Sequence, residues 1–232
     1  MHNGHRIGVV IPALNEEKSI GRVLADIPDW VDEVIVADNG SSDKTRAVSE
    51  AHGARVVAQP QRGYGAACLK GIAALGPTDI VVFIDGDYSD YPDEMGLIVA
   101  PIIEDRADLV IGSRVRGELA QGALTPQQIF GNWLACRLMA FFWQAEFSDL
   151  GPFRAIRTKS LEAIGMADEN FGWTVEMQIK ALRAGLRCAE IPVSYRKRIG
   201  ISKVSGTIKG TVLAGYTILR VIGQSAWQSR GD

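Results

Sequence analysis

Residues 80–87 carry the sequence IVVFIDGD, an apolar run that ends directly in two carboxylates, Asp85 and Asp87. A continuous run of β-branched and aromatic residues is typical of a strand that is buried on both faces of a parallel sheet. Two carboxylates on a glycine turn can share one hard divalent cation, and Mg²⁺ prefers such ligands together with water and phosphate oxygens. The stretch therefore predicts a buried strand with a metal site at its carboxyl end.

Similar apolar runs recur along the first half of the chain, separated by stretches of helical character. The runs, of which the last is weaker, lie at Ile7–Ile11, Val34–Ala37, Leu109–Ile111 and Arg55–Ala58. Helices are predicted between the runs, at about Lys18–Asp26, Ser42–His52, Gly65–Leu75 and Asp93–Glu104. Because strand and helix alternate, we predict an α/β fold with a mostly parallel wound sheet flanked by helices.

The second half of the chain has a different texture. A helix is predicted to start at Thr125-Pro126, because proline suits a first helical turn, and to reach about Trp143. The remaining predicted elements are a loop at Ser148–Arg154, a helix at Val175–Ala184, a strand at Arg187–Val193 and a last helix from about Val204. The helix before Trp143 is unusually aromatic, which suits either core packing or a membrane interface.

Length, charge and cysteine content limit the class of protein. The chain has 232 residues, which suits a single domain, and its net charge of −2 argues against electrostatic binding of nucleic acid. Three widely spaced cysteines predict neither disulfides nor a zinc site, and they fit a reducing compartment. The most apolar long stretch, 206–223, is interrupted by Lys209 and Arg220, so no membrane-spanning helix is predicted.

Polar residues follow four of the predicted strands. These segments are Pro12-Ala13-Leu14-Asn15-Glu16, Asp38-Asn39-Gly40-Ser41, Asp85-Gly86-Asp87 and Gly112-Ser113-Arg114. In wound sheets, ligands bind beyond the carboxyl ends of the strands, so we expect these segments to converge on one edge. Taken singly, residues such as Ser41 and Asp43 are also good helix caps, and that alternative stays open for them.

Other enzyme classes fit the sequence poorly. The stretch Gly63–Cys68 imitates a dinucleotide-binding fingerprint, but it ends in cysteine and follows the third predicted strand instead of the first. No P-loop motif and no G-x-S-x-G motif occur, and only three histidines are present. These absences argue against a P-loop kinase and a Ser-His hydrolase.

Taken together, the motifs resemble those of the family 2 glycosyltransferases of GT-A fold, and more narrowly the polyprenyl-phosphate glycosyltransferases of the dolichyl-phosphate mannose synthase type. Beyond the strand-end segments, the resemblance rests on Pro92-Asp93-Glu94, Ser148-Asp149, Phe153-Arg154, Ile191-Pro192-Val193-Ser194-Tyr195, Arg198, Gly200, Ser202 and Lys203. It covers roughly residues 5–210, in order. The resemblance implies an inverting transfer of a hexose from a nucleotide-diphosphate sugar.

The resemblance also implies roles for individual residues. The nucleotide would be bound by Pro12, Leu14, Asn15, Glu16, Asp38, Asp85 and Gly86, and Mg²⁺ or Mn²⁺ by Asp85, Asp87 and Ser89. The acceptor phosphate would lie near Arg114, Arg154, Arg198, Ser202 and Lys203. Catalytic contributions are expected from Asp87, Arg114 and Glu176. In family members with hydroxyl acceptors a carboxylate near Glu176 serves as the base, although here that residue could simply stabilise a helix start.

The second half of the chain adds a basic region to this interpretation. Between Arg183 and Lys209 there are seven basic residues and one acid, Glu190. Such a region is either a solvated face or a site for a phosphate and for anionic lipid headgroups. We therefore expect residues 1–114 to bind the nucleotide-sugar and residues 115–232 to bind the acceptor within one domain.

The sequence thus predicts a hexosyltransferase that uses a GDP- or UDP-sugar and a polyprenyl phosphate acceptor. It would act in the cytoplasm, peripherally at the inner face of the membrane. Two alternatives stay open at this point. One is transfer to a soluble hydroxyl acceptor, and the other is a non-catalytic protein that binds a nucleotide-sugar.

Overall fold

A computed structural model describes the backbone of residues 1–200 and 208–228 and the side chains of 1–200 and 213–227. Its strands are β1 (Ile7–Ala13), β2 (Glu33–Asp38), β3 (Arg55–Ala58), β4 (Ile80–Phe83), β5 (Leu109–Ser113), β6 (Arg154–Arg157) and β7 (Cys188–Pro192). Its α-helices are α1 (Ile20–Ala25), α2 (Thr45–Ala51), α3 (Tyr64–Ala74), α4 (Met95–Ile103), α5 (Pro126–Trp143), α6 (Thr158–Ile164), α7 (Trp173–Arg183) and α8 (Ile208–Gln228).

One sheet contains all seven of these strands, in the order β3-β2-β1-β4-β6-β5-β7. The pairs β1–β2, β1–β4, β2–β3 and β5–β7 are parallel. β6 runs antiparallel to both of its neighbours, β4 and β5. The predicted α/β class with a mostly parallel sheet flanked by helices is therefore confirmed.

The central strands are buried on both faces, which explains their continuous apolar sequence. Alternate residues point to opposite faces of a strand. In β1, Val9 belongs to the core cluster that includes residues of α1 and α4, whereas its neighbour Val10 belongs to the cluster with α3 and α7 on the other face. Trp173 at the start of α7 is almost fully buried and meets the ring of Phe83 edge-on at 5.9 Å between ring centroids.

Strand β6 and helix α6 were not predicted from the sequence, which suggested a loop up to Arg154. β6 begins at Arg154, whose backbone lies between Phe83 of β4 and Ile111 of β5. Because the strand is antiparallel, the loop that precedes it lies at the same edge as the carboxyl ends of its parallel neighbours. The segment 148–153 is thereby brought to the edge where the first half was predicted to bind its ligand.

Helix α5 starts where the sequence predicted. Thr125 accepts a hydrogen bond from the backbone N–H of Gln128, whose side chain accepts one from the backbone of Thr125, and Pro126 occupies the first turn. This reciprocal capping satisfies N–H groups that a helix start leaves without partners. The start of the last helix, predicted near Val204, lies outside the described residues.

Helix α5 is partly buried and partly exposed, so core packing accounts for only some of its apolar residues. Ala135, Cys136 and Met139 are buried in a cluster with residues of α7 and α8. Large apolar side chains remain exposed on both α5 and α8, namely Ile129, Phe130, Trp133, Phe141, Phe142, Leu213, Tyr216, Leu219 and Trp227. Within residues 1–200 and 208–228, no helix is both long and apolar enough to cross a membrane.

The close approach of the loop before β6 to the end of β5 leads to a first prediction. A Cβ atom added at Gly151 would lie 2.3 Å from the carbonyl oxygen of Gly112, a backbone atom that cannot move away cheaply. We expect Gly151→Ala to lower the free energy of unfolding by about 1–3 kcal/mol, as overpacking of a filled core does. Urea unfolding measures the change.

Gly96 in α4 provides the matched control, because a Cβ atom there would meet no atom within 4 Å. Gly96→Ala should be neutral or stabilising by up to about 1 kcal/mol, as alanine is the better helix former. Equal stability of the two variants would contradict the packing described for β5 and β6.

Candidate active site

A pocket of about 420 Å³ opens at the edge of the sheet where the parallel strands of the first half end. Eight of the residues predicted to bind ligands line it, namely Pro12, Leu14, Glu16, Asp85, Gly86, Asp87, Arg114 and Arg198. Apolar residues of the second half also line the pocket, namely Pro152, Phe171 and, from α8, Ala214 and Ile218. The pocket therefore joins charged strand ends from the first half to apolar residues from the second.

Two of the predicted nucleotide-binding residues, Asn15 and Asp38, stabilise the loops that follow β1 and β2. The side chain of Asn15 accepts from the backbone N–H of Ser42 at 2.8 Å, and Ser41 accepts from the backbone N–H of Asn15. Asp38, in turn, accepts from the backbone N–H of Ser41 at 3.0 Å. Asn15 thus joins the loop after β1 to the loop after β2, whereas Asp38 shapes the loop after β2 from within. Neither residue lines the pocket.

The carboxylates of Asp85 and Asp87 are each held by a hydroxyl group at Oδ1. Tyr64 donates its hydroxyl to Asp85 at 3.0 Å, and Ser89 donates both its hydroxyl and its backbone N–H to Asp87. Burial raises the pKa of Asp85, while the guanidinium of Arg198 and the Tyr64 hydroxyl act in the opposite direction. Both carboxylates therefore have fixed orientations before any ligand arrives.

Ser89 was predicted to be a metal ligand, but its side chain acts on Asp87. It is fully buried, and both of its donors are directed at the Asp87 carboxylate. A hydroxyl committed in this way orients the Asp87 carboxylate, so the predicted role of Ser89 as a direct metal ligand is not supported.

Arg198 contacts the second oxygen of the Asp87 carboxylate, Oδ2. The backbone reinforces this contact, since the N–H of Ile199 donates to the carbonyl of Asp87 at 2.9 Å. Two residues before Arg198, the guanidinium of Arg196 lies 3.4 Å from the ring centroid of Tyr88 and donates to the Tyr88 carbonyl. The segment after β7 is thereby held against the turn that carries Asp85 and Asp87.

Arg114 forms a two-pronged ion pair with Asp149. Nε and Nη2 of Arg114 lie 2.9 and 2.6 Å from the two carboxylate oxygens, and the Arg114 backbone N–H adds a third bond at 2.7 Å. Burial alone would lower the pKa of Arg114, but the Asp149 carboxylate raises it overall. Arg114 is therefore a permanent cation that lines the pocket.

The predicted role of Arg154 at the acceptor phosphate is not supported. Its side chain has no exposed surface, and its guanidinium donates to the carbonyls of Leu150, Gly151 and Thr174. Burial lowers its pKa to about 10, so it stays protonated at neutral pH. Arg154 holds the loop before β6 and the first turn of α7 together, because a buried cation needs acceptors and these carbonyls are the ones within reach.

The hydrogen-bond partners of Glu176 indicate a structural role for this residue and not the predicted catalytic one. Its carboxylate accepts from the backbone N–H groups of Ala167 and Asp168 and pairs with Lys180 at 2.8 Å. The pocket lining includes Thr174 but not Glu176. A stabilising role at the start of helix α7 therefore describes Glu176 better than the role of a general base.

The basic region after Arg183 does not form one surface. Arg187 precedes β7 and pairs with Asp105 and Asp108 at the amino end of β5, whereas Arg196 and Arg198 follow β7 at the pocket. β7 runs parallel to β5, so its two ends deliver these arginines to opposite edges of the sheet. Ser202 and Lys203, predicted at the acceptor phosphate, lie outside the described residues.

Asp85 and Asp87 fit a divalent cation whose remaining coordination positions are filled by water and by phosphate oxygens of a bound molecule. No group of three or more histidine, cysteine or acidic side chains that would hold a metal by itself occurs in the part of the chain that the structure describes. Asp85 and Asp87 supply two oriented carboxylates, and Mg²⁺ commonly takes one or two together with water and phosphate oxygens. A cation at this place would have to displace Arg198 from Asp87.

Several pocket residues were not identified as ligand contacts from the sequence. They include Arg62, Tyr64, Gln128 of α5 and Tyr195, whose ring centroid lies 5.1 Å from the guanidinium carbon of Arg114. Tyr64 lies inside the stretch Gly63–Cys68 that imitates a dinucleotide-binding fingerprint, and this glycine-rich stretch was the only feature of the sequence that could have pointed to it. There the N–H groups of Gly65 and Ala66 donate to the carbonyls of Asn170 and Glu169, so the start of α3 is occupied by backbone and not by a phosphate site.

Comparison with curated proteins identifies relatives that match nearly the whole chain. A glycosyltransferase of Mycobacterium tuberculosis is 36% identical over 222 residues, which cover 94% of this chain and 99% of the relative. A protein named dolichyl-phosphate hexose transferase from Haloferax volcanii is 34% identical over 221 residues, which cover 93% of each chain.

Comparison with solved structures gives the same fold. The glucosyl-3-phosphoglycerate synthase of Mycobacterium tuberculosis, solved with Mn²⁺, uridine diphosphate and phosphoglyceric acid, superposes with a TM-score of 0.79 at 26% identity. The match covers 96% of this chain and 79% of that one. Residues 8–165 also match the family described as "Glycosyl transferase family 2". A sheet of GT-A type, a pocket at its carboxyl edge and near-complete alignment with these relatives lead to one conclusion: this chain belongs to glycosyl transferase family 2.

Proposed function

We propose that the protein transfers a hexose from a GDP- or UDP-sugar to a polyprenyl phosphate, with inversion, at the cytoplasmic face of a membrane. The observation that carries this proposal is the composition of the pocket. Oriented carboxylates and three arginines, Arg62, Arg114 and Arg198, line a single cavity together with apolar residues of α8. The diphosphate of a sugar donor suits the charged residues. A phosphate joined to a hydrocarbon chain suits the charged and the apolar residues together.

The donor would lie along the ends of β1 and β4. Pro12, Leu14 and Glu16 line the side of the pocket that is suited to the nucleoside, and Asp85 and Gly86 line its floor. Asn15 and Asp38 would support these contacts by fixing the loops after β1 and β2. Bound Mg²⁺ or Mn²⁺, held by Asp85 and Asp87, would neutralise charge on the leaving diphosphate.

The acceptor phosphate would be bound by Arg114 and Arg198. The planar guanidinium fork matches phosphate oxygens, and Asp149 fixes the orientation of the Arg114 fork. In the transfer, an acceptor oxygen forms a bond to the anomeric carbon while the bond from that carbon to the donor diphosphate breaks. The electron pair of the broken bond leaves with the diphosphate, and a single displacement of this kind inverts the carbon.

Peripheral membrane contact would involve the exposed faces of α5 and α8. On α5, helical spacing of three and four residues places Phe130, Trp133, Arg137 and Phe141 on one face. On α8, the same spacing groups Tyr216 and Arg220. Aromatic side chains with interleaved arginines suit the headgroup region of an anionic bilayer, and α8 also lines the pocket.

A soluble acceptor is the second candidate, and the structural relative supports it. The glucosyl-3-phosphoglycerate synthase was solved with phosphoglyceric acid, a small phosphorylated molecule. The arginines at this pocket would suit such a phosphate as well as a lipid phosphate. The two candidates differ in their need for a general base and in their need for a membrane.

The first test of the proposed function concerns the cation. Asp87→Ala should abolish transfer and remove the effect of Mn²⁺ on nucleotide binding, because one of the two oriented carboxylates is lost. The measurement is thermal unfolding with UDP, GDP, dTDP or CDP, with and without Mn²⁺, beside transfer assays with the matching sugars. In the unaltered protein a ligand at 100 times its Kd stabilises by about 2.7 kcal/mol.

Asp29→Ala serves as the control for this variant, since Asp29 is an exposed carboxylate that does not line the pocket. It should behave as the unaltered protein does. Full activity of a folded Asp87→Ala protein would overturn the assignment of the metal site.

The second test separates the acceptor classes. A phosphate monoester is already largely an anion at neutral pH, so it needs no general base, whereas base catalysis of a hydroxyl acceptor contributes about 10²–10⁴ in rate. We expect Glu176→Gln to keep most of its activity and Arg198→Ala to raise the KM for the acceptor. Arg46→Ala, which removes an exposed arginine on α2, is the control.

Steady-state transfer to a polyprenyl phosphate and to phosphoglyceric acid, at saturating donor, measures both effects. If kcat collapses in a folded Glu176→Gln protein that still binds the donor, the lipid-phosphate proposal is contradicted and the hydroxyl acceptor is favoured.

The third test addresses the membrane. Binding to anionic vesicles should weaken as salt rises, because each basic residue near such a surface contributes about 1 kcal/mol. The double variant Trp133→Ser/Phe141→Ser should reduce sedimentation with the vesicles. Leu97→Ser, an exposed apolar site on α4, is the control and should bind normally. Absence of binding at low salt in the unaltered protein would leave the soluble acceptor as the better candidate.

A further inference from the structure

The turn between β3 and α3 contains a tyrosine between two glycines, Gly63-Tyr64-Gly65, and the chemistry assigned so far does not use it. Tyr64 lines the same pocket as Asp85, and its hydroxyl donates to Asp85 Oδ1 at 3.0 Å. We propose that Tyr64 is a positioning residue that orients the Asp85 carboxylate for the divalent cation of the donor. This inference rests on the metal site in the proposed function and deepens it.

The glycines on both sides are required for the placement of Tyr64. A Cβ atom at Gly63 would lie 2.0 Å from the carbonyl oxygen of Glu169, and one at Gly65 would lie 1.9 Å from that of Asp168. Gly63 also has a φ of +149°, in the region that favours glycine. The first turn of α3 therefore rests directly on the backbone of residues 168–170, and this contact sets the distance from Tyr64 to Asp85.

Additional hydrogen bonds hold the turn from the opposite side. The Asn39 side chain accepts from the backbone N–H of Gly63 at 2.9 Å and donates to the carbonyls of Gln59 and Gln61. Asn39 directly follows β2, so the turn is fixed to the sheet as well as to the 168–170 backbone. A side chain mounted on a turn with two such supports has little freedom to move away from Asp85.

A hydroxyl group orients each of the two carboxylates, Asp85 and Asp87. At Asp87 the hydroxyl of Ser89 engages Oδ1, and at Asp85 the hydroxyl of Tyr64 engages Oδ1. Because Tyr64 engages Oδ1 of Asp85, Oδ2 is the oxygen that would meet the cation. Partners that orient a ligating carboxylate typically change metal affinity by about 10–100-fold when they are removed.

The experiment compares Tyr64→Phe with Tyr216→Phe. Both changes remove one tyrosine hydroxyl, but Tyr216 is exposed on α8 and does not line the pocket. The Kd of Mn²⁺ is measured at saturating UDP from the electron paramagnetic resonance signal of free Mn²⁺. We expect Tyr64→Phe to weaken Mn²⁺ binding by about 10–100-fold and Tyr216→Phe to leave it unchanged.

Two further measurements distinguish orientation from general damage. UDP affinity without metal and the thermal unfolding temperature of the ligand-free protein should be retained in Tyr64→Phe. In transfer assays the apparent KM for Mn²⁺ should rise, while kcat is restored at saturating Mn²⁺. An unchanged Mn²⁺ affinity, or an equal loss of metal-free UDP binding, would overturn the role of Tyr64.

The failure of the underlying metal site gives a different result. If the unaltered protein binds UDP but takes up no Mn²⁺ in its presence, both the metal site and the role of Tyr64 are wrong. If the unaltered protein takes up Mn²⁺ and the Tyr64→Phe protein does so equally well, only the positioning role is wrong.

Discussion

The ion pair between Arg114 and Asp149 connects the two halves of the polypeptide at the pocket. Arg114 follows β5, Asp149 lies in the loop before β6, and Glu190 of β7 accepts from the backbone N–H groups of Ser148 and Asp149. Loss of one partner of such a buried pair typically costs about 3–5 kcal/mol, because the other charge is left without compensation. The arrangement of Arg114 at the pocket therefore depends on this contact.

The first half of the fold was predictable because its strands are buried on both faces and so carry continuous apolar runs, as at residues 80–84. Helix α5 was predictable at its start because Thr125 and Pro126 form a local capping signal. β6 was missed because its four residues, RAIR, have charged ends. Its insertion between β4 and β5 is decided by distant partners, which local patterns do not contain.

At the site, sequence position was more informative than side-chain chemistry. Residues after the parallel strands do converge, since parallel strands end at one edge. Arg154 and Glu176 nevertheless bind backbone carbonyls and N–H groups, because a buried charge takes the nearest partners that the packing offers. Tyr64 stood in a glycine-rich stretch typical of phosphate binding, and only the contact with residues 168–170 explains those glycines.

The position of β6 also has a consequence for how the chain acquires its fold. β4 and β5 do not pair with each other, so during synthesis their facing edges have no partner until residues 154–157 have emerged. Pairing of strands that are distant along the chain is slow, and unpaired edges favour association with other chains. Residues 1–114 supply five of the seven strands, yet a fragment that ended after Arg114 would lack the strand that joins β4 to β5.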